Sequence, residues 1–309
     1  MRTSISIGTR GSKLALWQAE WVKKALSKIH PDLTITLVII KTKGDKILDV
    51  PLAKVGGKGL FIKEIEEALT DHRIDLAVHS MKDMPAEIPA DLMIGAVPLR
   101  ETPQDILISR GGQKLVDLPE GALIGTSSLR RAAQLRYIRP DITIADLRGN
   151  VDTRLKKLDQ GKYDAIVLAA AGIKRLGFEN HISQILDTDT MLPAVGQGAL
   201  CIEIRNKDPR IEFIVGALDH RPTHIAITAE RAFLHYLEGG CQVPIAAHAS
   251  INENHVSITG LVADIDGSAL IKETHMGKIE DATNVGTTLA KKLLDQGAGP
   301  ILEKLRINV

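Results

Sequence analysis

The chain has 309 residues, 44% hydrophobic and 25% charged, an ordinary globular composition long enough for two or three domains. Lysine and arginine number 39 against 38 aspartates and glutamates, a formal net charge of +1, and aromatics make up 3%. That balance excludes general nucleic-acid binding, which needs a basic surplus, and weakens single-strand binding by base stacking.

Two cysteines, Cys201 and Cys241, are too few for a disulfide framework or a four-cysteine zinc site. No apolar run approaches the ~20 residues that span a bilayer, and the first residues carry no signal-peptide core. The expected location is therefore the cytoplasm, away from membranes, with both thiols reduced.

In chain order, residues 5–8 read as a strand. Ser12 caps a helix whose expected apolar face is Leu14, Trp17, Trp21, Ala25 and Ile29, ended by Pro31. Residues 33–41 are rich in β-branched side chains and read as a strand, and 60–69 as a helix. A buried strand at 76–79 runs into Ser80-Met81-Lys82-Asp83.

The grammar then repeats. Ile7-Gly8-Thr9-Arg10-Gly11-Ser12 precedes the first long helix, and Ile124-Gly125-Thr126-Ser127-Ser128 precedes a second, ended by Pro140. Asp75-Leu76-Ala77-Val78 likewise matches Asp164-Ala165-Ile166-Val167. The two matches have different offsets, so the chain is not a solenoid. Two α/β domains with unequal insertions and a chance likeness of short segments are both open. A crossover at 98–103 and a return at 192–198 leave 199–204 to supply another strand to the first domain.

After about Asp219 the character changes. A helix at 223–237 leads to Gly239-Gly240-Cys241. Alternating runs at 255–263 and 269–275 flank Asp264-Ile265-Asp266-Gly267, a hairpin signal, and two helical stretches follow. The expected fold class is α/β, with domains over 1–98 plus 199–218, over 99–198, and a small α+β domain over 219–309.

Strand-to-helix starts offer free N–H groups and a positive dipole end, a ready anion site. Residues 126–157 add eight basic side chains against three acidic ones. Arginine binds carboxylates through a bidentate fork, so the cluster suits a polycarboxylate or phosphate ligand. Arg136, Arg139, Lys156 and Lys157 read as a solvated helix face. Arg130 and Arg131 after a capping serine pair, and Arg148 beside Gly149, read as ligand-facing.

Asp83 lies just past an apolar strand, where ligands gather in α/β sheets. It can stabilise a developing cation or move a proton, and a structural salt bridge stands beside that reading. Gly44, Gly56, Gly57 and Gly59 with Lys43, Lys46, Lys54 and Lys58 mark a basic loop. A lid over an anion and a plain loop are equal readings; the pattern is not a Walker A motif. Cys201 sits in an apolar strand and reads as core. Cys241 follows two glycines, where a thiol is approachable as a nucleophile or an attachment point.

Several long collinear segments resemble the porphobilinogen deaminase (hydroxymethylbilane synthase) family over essentially the whole chain. The most specific runs from Glu230-Arg231 through Leu237-Glu238-Gly239-Gly240-Cys241-Gln242-Val243-Pro244 and is similar to the family's cofactor-attachment signature. Others are Thr9-Arg10-Gly11-Ser12 with Leu16-Trp17-Gln18, and segments 51–61, 79–85, 125–131, 147–150 and 192–198. A small departure is Ala246-Ala247 after Pro244-Ile245, where a Gly or Ser is expected nearby.

The resemblance implies a monomeric transferase. It joins four porphobilinogen units head to tail into linear hydroxymethylbilane, in haem biosynthesis, and releases four ammonia molecules. It implies a dipyrromethane cofactor held as a thioether on Cys241. It further implies two α/β domains like type II periplasmic binding proteins around a cleft, with a third domain carrying the cysteine loop. By position, Asp83 matches the catalytic aspartate. Arg10, Ser12, Lys82, Thr126, Ser127, Ser128, Arg130, Arg131, Arg148 and Arg154 match the carboxylate-binding set. Gln18, Lys54, Lys58, Phe61, Ser80, Gly172 and Gln197 match lesser site or lid positions.

Overall fold

The computed structural model describes residues 4–46, 62–237 and 243–307. The first sheet contains β1 (Ser4–Thr9), β2 (Thr34–Ile39), β3 (Leu76–Ser80), β4 (Leu92–Ala96) and β10 (Leu200–Arg205), in the order β2-β1-β3-β10-β4. β1 runs parallel to β2 and β3, while β10 is antiparallel to both its neighbours. The second sheet contains β5 (Asp105–Ser109), β6 (Leu123–Gly125), β7 (Thr143–Ala145), β8 (Ala165–Ala169) and β9 (Gln184–Leu186), in the order β7-β6-β8-β5-β9. Here β6 is parallel to β7 and β8, and β5 is the antiparallel strand.

The two sheets are built on one plan, and the repeated segments lie at corresponding strand pairings. Gly8 pairs with Ala77 as Gly125 pairs with Ile166. The Asp75 carboxylate accepts the Ser6 backbone N–H at 2.8 Å, and the Asp164 carboxylate accepts that of Leu123 at 2.9 Å. An acid just before β3 or β8 thus ties that strand to β1 or β6. Strand β10, which follows the second sheet in sequence, returns to the first, between β3 and β4.

Helices cover these sheets. α1 (Lys13–Ile29) starts at Ser12, whose side chain accepts the Ala15 N–H, and it buries Gln18, Ala19, Val22 and Leu26. The expected face through Trp17, Trp21 and Ile29 is corrected: those three are 37%, 38% and 45% exposed. The slim side chains of Ala19 and Val22 let the helix sit close on β1 and β3. Trp17 instead turns across to the second half, under the Arg175 guanidinium at 5.8 Å. A short turn of helix, α2 (Lys43–Lys46), and α3 (Lys63–Thr70) complete the first half's coverage before β3. In the second half, α4 (Leu129–Ile138), α5 (Val151–Asp159) and α6 (Ala170–Arg175) follow β6, β7 and β8.

After β10, α7 (Pro209–Gly216) packs back onto the first sheet. α8 (Arg221–Tyr236) leads to an antiparallel sheet of β11 (Ile245–Asn252), β12 (His255–Ala263) and β13 (Leu270–Lys278). α9 (Ala282–Leu293) and α10 (Gly299–Ile307) close the chain. Phe233, Val256, Ile258, Val285, Leu289 and Leu293 form this region's core. Gly286 lets α9 meet α8: a Cβ there would lie 2.1 Å from the Ala229 carbonyl oxygen. The hairpin expected at 264–267 joins β12 to β13, with Gly267 at φ 78°.

Candidate active site

β3 ends in a tight 3-10 turn, Met81–Asp83. Buried Met81 and Met84 anchor it, and the Met81 N–H donates to the Ala199 carbonyl at 3.0 Å. Between these anchors the chain must turn Lys82 and Asp83 away from the core. Asp83 is exposed and Lys82 half-buried, with its Nζ 3.5 Å from Gln197 Oε1. Ser80, at the strand end, accepts from Gln18 Nε2 at 2.9 Å, which explains a buried glutamine on α1.

In the second sheet the β6–α4 loop is held by its own hydroxyls. Thr126 Oγ1 accepts the Ser128 N–H at 3.2 Å, and Ser128 caps α4 by accepting the Arg131 N–H. Ser127 Oγ both donates to the Leu147 carbonyl and accepts its N–H, each at 3.0 Å. That exchange fastens the loop to the segment carrying Arg148. Arg154 lies in the first turns of α5, its Nε donating to the Gly149 carbonyl at 2.8 Å.

Arg130 and Arg131, both buried, converge on Asp105 at the start of β5. Arg130 Nη1 reaches Oδ2 at 2.7 Å, and Arg131 Nε reaches Oδ1 at 2.9 Å. Gln197 Nε2 adds a third approach, to Oδ1 at 3.0 Å. Burial favours the protonated acid, but the two guanidiniums outweigh it and hold Asp105 well below the usual carboxylate range. The expectation of two ligand-facing arginines is refined accordingly: each is first engaged by this carboxylate.

The surrounding charges are mostly cationic. Burial, then the Arg131 charge, brings the Lys82 amine down to about 8, with Arg130 adding to the effect and Asp83 and Asp105 opposing it. Burial, then Arg131 and Arg148, brings Arg154 down to about 10, again against Asp83. Lys82, Asp83, Arg131, Arg148 and Arg154 therefore share one electrostatic neighbourhood. Positive charge crowded against positive charge favours a polyanionic ligand.

Other expected residues lie at the edges. Arg10 is half-buried in the β1–α1 loop, beside the capping Ser12. Gly172 on α6 faces α1: a Cβ there would be 3.7 Å from Leu14 Cδ2. Lys54, Lys58, Phe61 and Cys241 lie outside the described residues.

Sequence reasoning missed Asp105 and the Glu230 hub. Glu230 Oε1 accepts Arg100 Nη1 at 2.6 Å and the Ala249 N–H at 2.8 Å, while Oε2 accepts the Gly196 N–H at 2.7 Å. It ties both crossing segments to α8 and β11. Burial opposes its ionisation, but Arg100 and His248 bring it down to about 2. Three arginine and lysine readings are also corrected. Arg136 donates to the Ile265 carbonyl at 2.7 Å, Arg139 to that of Leu115 at 2.7 Å, and Lys157 to that of Arg148 at 3.0 Å. These side chains cap loop carbonyls, distant ones for Arg136 and Arg139 and that of the loop leading into its own helix for Lys157, rather than forming a solvated face; Lys156 alone of the four is exposed.

Two family models match the chain. Residues 5–213 match "Porphobilinogen deaminase, dipyromethane cofactor binding domain", and residues 224–295 match "Porphobilinogen deaminase, C-terminal domain". The porphobilinogen deaminase of Syntrophotalea carbinolica is 55% identical over 305 residues, covering 99% of this chain and 97% of its own. That of Syntrophobacter fumaroxidans is 52% identical over 301 residues, covering 97% of each chain. Among solved structures, the probable amino-acid ABC transporter extracellular-binding protein YtmK from Bacillus subtilis matches at TM-score 0.44 and 14% identity, covering 70% of this chain and 90% of that one. The chain belongs to the porphobilinogen deaminase family.

Proposed function

We propose that this chain condenses four porphobilinogen molecules head to tail on a dipyrromethane primer attached to Cys241, releasing four ammonia molecules, and that one water then hydrolyses the tetrapyrrole off the primer as hydroxymethylbilane. The observation that carries the reading is the set of cations around one exposed carboxylate, Asp83, at the end of β3. Each pyrrole unit bears an acetate and a propionate. A primer of two units brings four carboxylates, and each addition brings two more. The depressed Lys82 and Arg154 are what such a ligand would relieve, because added carboxylates favour their charged forms. The donor set therefore fits dipyrromethane.

Lys82, Arg131, Arg148 and Arg154 would hold the carboxylates, with Arg10 and the capping loops at Ser12 and 126–128 beside them. Bound dipyrromethane supplies a free pyrrole α-position as the acceptor of the first unit. Asp83 acts on the incoming substrate. As ammonia departs, positive charge spreads to the pyrrole nitrogen, and a carboxylate facing that N–H stabilises it where it develops. The same carboxylate can move the protons at deamination and at loss of the α-hydrogen. The cations fix the ring by its side chains, so that only the reacting carbon changes partners.

We divide the chain into domains over 1–98 with 199–218, 99–198 and 219–309. We place it in the cytoplasm as a monomer that engages no nucleic acid. Among the described residues no helix is long and apolar enough to cross a membrane. The test is porphobilinogen consumption by the purified chain and by Asp83→Asn. The variant keeps the shape and is expected to lose roughly 10²–10⁴ of the rate, the usual share of a positioned acid–base group. Full turnover in Asp83→Asn would overturn the assignment.

A further inference from the structure

We propose that Asp105 is a positioning residue, which aligns Arg130, Arg131 and, through Gln197, Lys82 so that cations from both sheets meet a polycarboxylate as one set. The inference rests on the function proposed above. Asp105 is fully buried, so it acts through these groups and does not touch substrate.

The geometry is specific. Arg130 and Arg131 are consecutive on α4, and neighbours one residue apart on a helix do not face each other. Both nevertheless turn to one carboxylate: Arg130 Nη1 lies 2.7 Å from Oδ2, and Arg131 Nη2 lies 2.8 Å from Oδ1. Each guanidinium is also held by a carbonyl, Arg130 by Leu192 at 2.8 Å and Arg131 by Val167 at 3.1 Å. Asp105 is the acceptor they share. Without it, two adjacent buried cations would repel and lose their common direction.

The Gln197 amide extends this alignment to the other sheet. Its Nε2 donates to Asp105 Oδ1 at 3.0 Å and to the Pro103 carbonyl at 2.6 Å. Two acceptors on the nitrogen fix the amide's orientation and leave Oε1 turned to Lys82 Nζ at 3.5 Å. Asp105 stands on β5 in the second sheet, whereas Lys82 follows β3 in the first. Gln197 sits on the returning crossover between them. One carboxylate thus reaches three cations carried by two sheets.

The charges facing Lys82 are Arg131, Asp83, Asp105 and Arg130. Asp105 favours the charged amine, so its neutralisation moves the lysine's titration to lower pH than in the wild type, whatever the bound carboxylates add to both. This gives a readout that loss of folding alone does not move.

The experiment compares the full-length, cofactor-loaded wild type with Asp105→Asn and Asp105→Glu. It measures kcat and KM for porphobilinogen across neutral and alkaline pH, with thermal unfolding beside them. In Asp105→Asn the KM is expected to rise about tenfold or more, with a smaller fall in kcat, as when a buried charge pair is truncated. Its alkaline limb is expected at lower pH than the wild type's. Asp105→Glu keeps the charge and should restore the limb while KM stays raised, because the carboxylate is displaced by one methylene. A folded Asp105→Asn with wild-type KM and limb would overturn the proposal. Should Asp105→Asn not fold, a folded Asp105→Glu with wild-type KM would overturn it equally. A wild type that consumes no porphobilinogen would instead remove the function on which the proposal stands.

Discussion

The two sheets share a strand order, yet their central antiparallel strands bury opposite chemistry. In the first sheet β10 carries Glu203, whose Oε2 meets His79 Nε2 at 3.0 Å. In the second, β5 carries Asp105 between two guanidiniums. The first cluster is rich in acid. Burial, then Glu203, raises Glu66 to about 7, with Asp91 adding and His79 opposing. The second is rich in cations, and Lys82 and Arg154 are depressed instead.

Position along the strand separates the two. Glu203 pairs with Ala77, early in β3, inside the body of its sheet. Asp105 pairs with Ala169, the last residue of β8, at the carboxyl ends where α/β sheets receive ligands. The same scaffold therefore makes a closed polar core at one depth and, at another, the cationic rim proposed above to bind the ligand.

Five substitutions probe that contrast. The largest effect is expected where Glu230 ties the halves together. Glu230→Gln leaves Arg100 buried without its counter-charge and should cost about 3–5 kcal/mol in urea unfolding. The pair also has a pH signature. Because the folded-state pKa of Glu230 is depressed to about 2, its contribution is present above the ordinary glutamate value. It is lost as pH falls from there through about 2, so the wild type should lose stability in that acid window and Glu230→Gln should lose less of it.

Next, Arg131→Gln should lower kcat/KM by roughly 10²-fold with the chain still folded, since a charge-assisted contact to carboxylate is worth about 2–3 kcal/mol. Glu203→Gln in the opposite sheet should leave kcat and KM near the wild type's; an equal loss in both would erase the proposed distinction between rim and core.

A smaller effect of reversed sign belongs to Glu66. Its raised folded pKa means that folding holds a proton the unfolded chain gives up. Stability should therefore fall as pH rises from about 4.5 to about 7. Glu66→Gln removes that slope and should stabilise the chain above pH 7 by about 1–2 kcal/mol, with solvent screening allowed for. The smallest effect is expected at the ion pair between α1 and α5, Lys13 Nζ to Asp152 Oδ2 at 2.9 Å, where Lys13 is largely exposed. Asp152→Asn should change stability by less than about 1 kcal/mol, and added salt should abolish the difference.

Much of this organisation was legible in the sequence, and the misses have physical causes. The repeated Gly-Thr and Asp segments located β1, β3, β6 and β8 because they mark strand ends that local chemistry fixes. Asp83 stood out for the same reason, because an apolar strand stops just before it, while its proposed role comes from the family resemblance. The buried face of α1 was misread because Gln18 looks solvated until Ser80 supplies its partner, whereas the two tryptophans look like core. β11 was missed because Ala-His-Ala-Ser has no β-branched run; pairing with β12 makes it a strand. Arg136 and Arg139 were read as solvated because their partners are backbone carbonyls, which carry no signature in sequence. Asp105 offered one unused clue, a lone acid heading the apolar strand Ile106-Leu107-Ile108.

The central claim is that the chain grows a pyrrole oligomer on a primer bound to its own cysteine. The most direct measurement is the denatured mass of the purified chain, before and after brief mixing with porphobilinogen, with peptide mapping of the added mass. The chain should be heavier than its sequence by one dipyrrole on the Cys241 peptide, and should then show a ladder of single pyrrole additions ending at four. A chain of unmodified mass that still turns over porphobilinogen, or added mass on another residue, would contradict it.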